Sequence, residues 1–209
     1  MEGNFTRIRK QAADLAPPGD AKDESTVPRA EPGITELITL QWRHERGDLD
    51  LDNFLLAIYL MRLGTWLDRA YDKMCQRHWG IGGGDMRVML ALRRGGPPYV
   101  KRPTDLFRAL LVTSGAITKK VDRLEQAGYV QRLPDPGHNG GLLVHLTKKG
   151  LRAADDATAK LANESVLAPA AGQMTQAERD ILSKQVLRIL STLEALDDAG
   201  RSREDQVVD

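Results

Sequence analysis

The sequence has little of what disulfide-bonded, metal-binding and membrane-spanning proteins need. Of its 209 residues one is a cysteine, Cys75, so an internal disulfide is excluded, and no Cys and His residues stand at metal-ligand spacing. Residues 1–20 lack the apolar core of a signal peptide, and the apolar run from Phe54 is interrupted at Arg62 and Asp68. We therefore expect a cytoplasmic protein with no membrane span, cofactor or metal.

Net charge is almost absent as well, with 30 Lys and Arg against 29 Asp and Glu. Such a balance ordinarily argues against nucleic-acid binding, which draws its affinity from clustered cations. The charges are segregated, however. Residues 87–152 hold 13 basic and 4 acidic side chains, a net charge of +9, which leaves −8 for the rest. A basic segment in an acidic frame is typical of a nucleic-acid-binding module, although a solvated surface would give the same counts.

Hydrophobic periodicity divides the chain into mainly helical segments. Residues 1–33 contain four prolines and few bulky apolar groups, which predicts disorder. A short helix is predicted over 34–46 and a long one over roughly 50–79. Glycines in the run GIGGGD at 80–85 end the long helix, and a short helix follows over 85–94.

Two short helices come next, at the spacing of a helix-turn-helix. Thr104 follows Pro103 at a predicted N-cap. The buried side of this first helix is predicted to consist of Leu106, Phe107, Leu110 and Leu111. Thr113 and Ser114 cap the second helix, which is predicted to run to Ala127. Its buried face would hold Ile117, Val121 and Leu124, at spacing i, i+4 and i+7.

The period then changes to that of strands. Residues 129–133 and 142–146 are short β-prone runs separated by the turn-rich stretch PDPGHNGG, which predicts a hairpin. A hairpin directly after a helix-turn-helix forms a winged helix. Thr147 caps a further long helix, and Thr175 with Glu178 forms a capping box that opens the last one. The predicted fold is mainly α, a winged helix-turn-helix with a short β-hairpin wing.

The run LFRALLVTSGAITKKVDRLEQAGYVQRLPDPGHNGGLLVHLTKKG at 106–150 resembles the MarR family of winged-helix regulators, and the flanking helices match it from about 50 to 198. The resemblance implies a ligand-responsive transcriptional regulator, most often a repressor, that binds a palindromic operator as an obligate homodimer. The implied domain bounds are 1–33 for a disordered extension, 34–47 for an extra helix, 48–84 and 147–199 for a helical dimerisation frame, 85–146 for the winged helix and 200–209 for a flexible tail.

The resemblance places the helix from Ser114 in the major groove of DNA, because its apolar face is turned inwards. The expected DNA-contacting residues are Thr113, Ser114, Gly115, Thr118, Lys119, Arg123, His138 and Asn139. Asp122 is anionic and is expected to orient a neighbouring Arg rather than touch DNA.

A second resemblance suggests a ligand pocket. Residues 41–50, QWRHERGDLD, look like the extra N-terminal helix of the urate-responsive branch, where a Trp faces the ligand. The implied ligand-binding positions are Trp42, Arg87, Lys120 and Arg132. Arg87 stands where these relatives have an Asp, so the four positions favour a planar anion such as an aromatic acid over urate itself. Alternatively, Arg87 and Lys120 are solvated or bind phosphate.

Other classes of function have less support in the sequence. The run at 80–85 differs from GxGxxG and follows a helix rather than a strand, and no Ser, His and Asp set is recognisable, so an enzyme is not expected. Oxidation of Cys75 could switch a regulator, but a thiol within a frame helix is more often structural. An interaction scaffold without DNA would need another acidic partner for the basic segment.

The wing yields a testable prediction. In the relatives an Arg at the wing tip enters the minor groove, whereas this chain has His138, Asn139 and Gly140 there. Asn139 can form hydrogen bonds but carries no charge, so we expect the wing to contribute less affinity than in relatives. Asn139→Arg should therefore tighten DNA binding in a titration against operator DNA. Unchanged affinity would contradict this view of the wing.

Overall fold

The computed structural model describes residues 33–137 and 140–207, with side chains through residue 199. The predicted disordered extension, apart from Gly33, and the wing-tip residues His138 and Asn139 lie outside the described residues. The described elements are α1 (Ile34–Glu45), α2 (Asp52–Trp79), α3 (Gly83–Arg93), β1 (Val100–Lys101), α4 (Pro103–Ala109), α5 (Ser114–Gln126), β2 (Val130–Pro134), β3 (Leu142–Leu146), α6 (Lys148–Asn163), α7 (Ala168–Ala171) and α8 (Gln176–Val207).

The described residues divide within α2 into two units, one ending at Asp68 and the other beginning at Arg69. In the first unit α1 packs on the N-terminal part of α2. The Thr39 and Tyr59 hydroxyls share a hydrogen bond of 2.7 Å across this contact. The buried side chains of this unit are Leu37, Leu51 and Leu55.

The second unit has α3 at its centre. This helix is closely enclosed, and its apolar side chains Met86, Met89 and Leu92 are fully buried. Apolar faces of α5, α6 and the sheet complete the core. The three residues predicted to form the buried face of the second motif helix are all buried, namely Ile117, Val121 and Leu124. The sequence-derived orientation of α5 is thus confirmed.

The sheet has the strand order β1-β3-β2, and both pairs are antiparallel. Strands β2 and β3 form the predicted hairpin, with Val130 opposite Leu146 and Pro134 opposite Leu142. Strand β1 was not expected from the sequence, because two residues are too few to show a period. It pairs Val100 with His145 and so joins the segment before α4 to the hairpin.

Side-chain caps define several helix starts as predicted. The Thr113 hydroxyl accepts the Ala116 N–H at 3.2 Å, and the Thr147 hydroxyl accepts the Gly150 N–H at 3.1 Å. At α8, Glu178 accepts from the Thr175 N–H at 2.7 Å while its own N–H donates to the Thr175 hydroxyl at 3.3 Å. These bonds satisfy backbone donors that have no partner within their helix.

Two sequence expectations about α4 are wrong. The helix begins at Pro103, with Arg102 rather than Thr104 at the N-cap, because the fixed φ of proline suits the first helical position. The helix also ends at Ala109, so Leu111 lies in the following turn and is exposed rather than buried. Helical spacing had placed Leu111 on the buried face of this helix, but the helix ends two residues before it.

The start of α6 is joined closely to the end of α5. The Thr147 hydroxyl donates to the Gly128 carbonyl at 2.8 Å, and Lys149 Nζ donates to the Ala127 carbonyl at 2.7 Å. Gly150 lies so near the backbone of Tyr129 that a Cβ at this position would collide with the Tyr129 carbonyl oxygen. The glycine is therefore required for the close approach of α6 to the hairpin.

In the described ranges no helix combines the length and apolar character that crossing a bilayer requires. The same residues contain no group of three or more His, Cys, Asp or Glu side chains positioned to hold a metal ion.

Candidate nucleic-acid interface and adjoining cavity

The outward side of α5 begins at its N-terminus. With Ile117, Val121 and Leu124 buried, the exposed side chains of the first turns are polar or small. Five of the predicted DNA-contacting residues lie together here and are exposed, namely Thr113, Ser114, Gly115, Thr118 and Lys119. Their hydroxyls, the ammonium group and the N–H groups at the helix N-terminus suit phosphates and base edges.

The base of the wing is held by an ion pair that sequence reasoning missed. Arg102 Nε donates to Asp135 Oδ2 at 2.6 Å, and Asp135 Oδ1 accepts the Gly137 N–H at 2.9 Å. The Asp135 side chain is 6% exposed, so this acid belongs to the structure of the hairpin. The pair ties the start of the loop after β2 to the residue before α4, although the two partners are 33 residues apart.

A cavity of about 610 Å³ lies beside α5, on the side away from Ser114. Its walls come from the C-terminal half of α2, the loop after it, the start of α3 and one edge of α5. The polar side chains that line it are Asp72, Gln76, Asp85, Lys120, Arg123 and Gln126. The volume falls within the range of about 300 to 1,000 Å³ that is usual for small-molecule sites.

Asp85 and Arg123 form a bidentate ion pair at this cavity. Arg123 Nε donates to Asp85 Oδ2 at 2.8 Å and Arg123 Nη2 donates to Oδ1 at 2.6 Å. The Asp85 side chain is 7% exposed and that of Arg123 is 55% exposed. Hydrogen bonding to Asp85 raises the pKa of the Arg123 guanidinium. The pair joins α3 to α5, so the predicted DNA contact Arg123 already has a partner within the protein.

Asp85 is the functional candidate that sequence reasoning overlooked. It shares one face of α3 with Met89 and Leu92, at spacing i, i+4 and i+7. An acid on the apolar face of an amphipathic helix needs a cationic partner, because an unpaired buried charge is strongly unfavourable. The place of Asp85 on an otherwise apolar helix face was the sequence signal that could have identified it.

Lys120 differs from Arg123 in having no hydrogen bond or ion pair within the described ranges. It is half-buried, and its ammonium group lies against the backbone of Gly84, where a Cβ would collide with Nζ. The helical wheel had placed Lys120 at the border of the buried face, and the structure agrees. A cation at a cavity wall that is hydrogen-bonded to no acid of the described ranges is suited to holding an anion.

Of the other predicted ligand residues, Arg87 and Arg132 belong to the same unit as this cavity but do not line it. The Arg87 guanidinium lies over the Tyr71 ring, 5.1 Å from its centroid. Arg132 binds Glu125 and also donates to Asp122 Oδ1 at 2.5 Å, so Asp122 orients an Arg as the sequence predicts. Trp42 belongs to the first unit, where it packs edge-on against Phe54 with centroids 5.1 Å apart. The acids at the cavity are Asp72 and Asp85, and Asp85 lies two residues before Arg87.

Comparison with known proteins agrees with this architecture. A MarR family model matches residues 79–139. The transcriptional regulator PecS of Dickeya dadantii is 35% identical over 113 residues, which cover 54% of this chain and 68% of PecS. The chain belongs to the MarR family. The multiple antibiotic resistance protein MarR of Salmonella typhimurium is 44% identical over 102 residues, which cover 47% of this MarR-family chain and 69% of that protein.

Solved structures of the family include DNA complexes. A mutant E. coli MarR complexed with operator DNA is 26% identical and has a TM-score of 0.54, covering 66% of this chain and 99% of that one. Sco3205 of Streptomyces coelicolor, solved with DNA, shares the fold at 23% identity and a TM-score of 0.59, covering 68% and 88% of the two chains. This MarR-family protein is thus a DNA-binding transcriptional regulator, and its relatives are not enzymes.

The Asp85–Arg123 pair leads to a prediction for stability. Asp85→Asn should lower the unfolding free energy by about 1 to 2 kcal/mol, because it removes a charge-assisted pair on the buried side. The value is below that of a fully buried pair since Arg123 is half in solvent. Asp48→Asn is the matched control, because Asp48 also accepts twice from one guanidinium, that of Arg46, but is exposed.

Denaturant unfolding would measure both variants. The control should leave the unfolding free energy nearly unchanged, since exposed pairs contribute little. Equal losses in the two variants would mean that the burial of Asp85 is not what makes its pair important.

Proposed function

We propose that this regulator binds a palindromic operator as a homodimer, represses transcription, and is released from DNA by a small planar anion. The observation that carries the proposal is the arrangement of α5. Its N-terminal turns expose a polar surface, whereas Lys120 and Arg123 on another side of the same helix line the cavity. One helix can therefore serve both DNA and a ligand.

The homodimer is supported by the apolar surface of α8. A single helix of a monomer normally buries its apolar stripe. On α8, six large apolar side chains are exposed in the isolated chain, namely Ile181, Leu182, Leu187, Leu190, Leu193 and Leu196. Exposure on this scale marks an interaction surface. A second copy is the occupant that agrees with a palindromic site, because a two-fold axis presents two recognition helices to two half-sites.

Release by a ligand depends on the geometry of that dimer. Two recognition helices must meet half-sites about 34 to 36 Å apart on one face of DNA. A small rotation or translation of α5 in each subunit changes this separation. A ligand that binds one separation more tightly than the other shifts the population between them, and only by its difference in affinity.

The cavity offers a physical route for this coupling. Lys120 and Arg123 are carried by α5, whereas Asp85 is carried by α3. An anion bound to Lys120 would also attract the Arg123 guanidinium and compete with Asp85 for it. The contact between α3 and α5 would then depend on whether the cavity is filled. Planar aromatic acids fit a site that has a cation at one edge and an apolar wall, here Ile81, at another.

Thiol oxidation has less support as the switch. Cys75 lies on α2 and is fully buried. Burial raises the pKa of its thiol, which lowers the fraction of reactive thiolate at neutral pH. Both properties reduce reactivity towards peroxide, so a bound anion is the preferred signal.

The proposed dimer predicts the behaviour of an α8 variant. Leu193→Glu should raise the dimer dissociation constant by at least about 100-fold, because it places an unpaired carboxylate in an apolar interface. Ala195→Glu is the control, since Ala195 is exposed, lies on the opposite side of the helical wheel from Leu193, and has none of the six apolar residues three or four positions away. Light scattering after size exclusion would measure both, with DNA affinity measured in parallel. A monomeric wild-type protein, or a Leu193 variant that dimerises normally, would contradict the proposal.

The proposed ligand site predicts opposite effects at two neighbouring lysines. Urate, xanthine and salicylate should be screened for a rise in melting temperature and for release of bound DNA. A ligand at about 100 times its dissociation constant should raise the melting temperature by on the order of 5 °C. Lys120→Gln should abolish this rise and keep DNA affinity. Lys119→Gln should keep the rise and weaken DNA binding, with a salt slope smaller by about one.

The two lysines make each variant the control for the other. If none of the three compounds raises the melting temperature, the proposed ligand class is wrong. If a compound acts on both variants alike, it binds elsewhere than beside Lys120.

A further inference from the structure

Helices α4 and α5 end in the same backbone motif. In each, the N–H groups of the first two residues beyond the C-cap donate back to carbonyls of the last turn, and the first of these residues has a positive φ. At the end of α5 this residue is Gly128, with φ of 74°. At the end of α4 it is Leu111, with φ of 51°. The α4 bonds run from Leu111 to Arg108 at 3.3 Å and from Val112 to Phe107 at 3.1 Å.

Leucine is an unfavourable choice at that position. An L-residue with a Cβ is strained in the left-handed region, and glycine is the usual occupant of the motif. The leucine is also 76% exposed, more than any other large apolar side chain that the structure describes through residue 199. Its neighbours Leu110 and Val112 pack against the core, so the core does not need Leu111. Leu111 therefore combines a strained backbone with an exposed apolar side chain, and no contact in the described part of the protomer offsets either cost.

Tyr99 is a residue whose positive φ is offset by the contacts of its side chain. Tyr99 is the other non-glycine residue with a positive φ, 60°, within the described ranges. Its side chain packs against the core, and the Arg93 guanidinium lies 5.2 Å from its ring centroid. In the part of the chain that the structure describes, Leu111 has no comparable contact, so a contact that offsets its cost must come from outside these residues.

The location of Leu111 identifies the partner. It lies in the turn of the helix-turn-helix, two residues before the N-cap Thr113, at the end of α5 that enters the major groove in this motif. Its exposed sequence neighbours Arg108 and Thr113 are cationic and polar, unlike the apolar stripe of α8. We infer that Leu111 is a DNA-contacting residue that packs against an apolar C–H surface of the operator. This inference rests on the proposed binding of specific DNA.

Two apolar surfaces of DNA would suit the leucine side chain. One is the C5-methyl group of thymine in the major groove, and the other is the deoxyribose ring of the backbone. A contact with either buries the side chain and offsets its exposure in the free protein. Neither contact involves charge, so neither alters the number of neutralised phosphates.

The test compares Leu111→Gly and Leu111→Ala in the full chain. The probe is a duplex that the wild-type chain selects from a random-sequence library. Leu111→Gly should raise the melting temperature by about 2 to 4 °C, because glycine relieves the strain. Both variants should weaken DNA binding by at least about threefold, with an unchanged slope against salt. Leu111→Ala keeps the Cβ strain and should not gain stability.

Leu49→Ala is the matched control, because Leu49 is also an exposed leucine, in the loop between α1 and α2. It should leave DNA affinity unchanged. Replacing thymine by deoxyuridine in the probe identifies the surface: the effect of Leu111→Ala disappears for a methyl contact and persists for a sugar contact.

Three results would overturn the inference. If the wild-type chain selects no duplex, specific DNA binding fails and the inference with it. If the wild-type chain binds and the Leu111 variants bind equally well, the inference alone fails. If those variants lose affinity only through weaker dimerisation, the partner of Leu111 is another protein chain.

Discussion

The burial of one edge of α5 is the constraint on which the rest of the second unit depends. Ile117, Val121 and Leu124 are almost fully enclosed, and this fixes the rotation of the helix about its axis. With that rotation fixed, Ser114 and Thr118 must face solvent while Lys120 and Arg123 must face the cavity. The burial of the apolar side chains thus determines in which direction the polar side chains of α5 point.

Charge is arranged on this scaffold in two different ways. Arg123 and Arg132 are neutralised by acids of the same unit, so they contribute geometry more than attraction for phosphates. No hydrogen bond or ion pair joins Lys119 or Lys120 to an acid in the described ranges. Asp85 and Asp155, which pair with Arg123 and Arg93, lie outside residues 87–152, so the net charge of +9 over that segment overstates the charge available to DNA. Pairing with acids of the protein therefore determines which cations remain available to bind an anion.

Features set by local sequence were predictable, and features set by distant partners were not. The Thr113 cap and the buried triplet of α5 depend on residues within one or two turns, so pattern reasoning found them. Asp85 and Arg123 are 38 residues apart, and no local pattern reports that they meet. The expectation that Leu111 is buried was wrong for another reason. A leucine with a positive φ departs from the helical pattern on which that expectation relied.

The junction between α5 and α6 acts as a rigid elbow. Hydrogen bonds from Thr147 and Lys149 to the last carbonyls of α5, with the close backbone approach at Gly150, leave little freedom for one helix to turn against the other. A helix of 13 residues is about 20 Å long, so a tilt of about 3° in α6 that is passed on through this rigid junction moves the far end of α5 by about 1 Å. The end of α5 that is farthest from the elbow carries Ser114, Gly115 and Thr118, which are proposed to contact DNA. With DNA bound as proposed, small angular changes in α6 would become displacements of the size of a hydrogen-bond mismatch at the base edges.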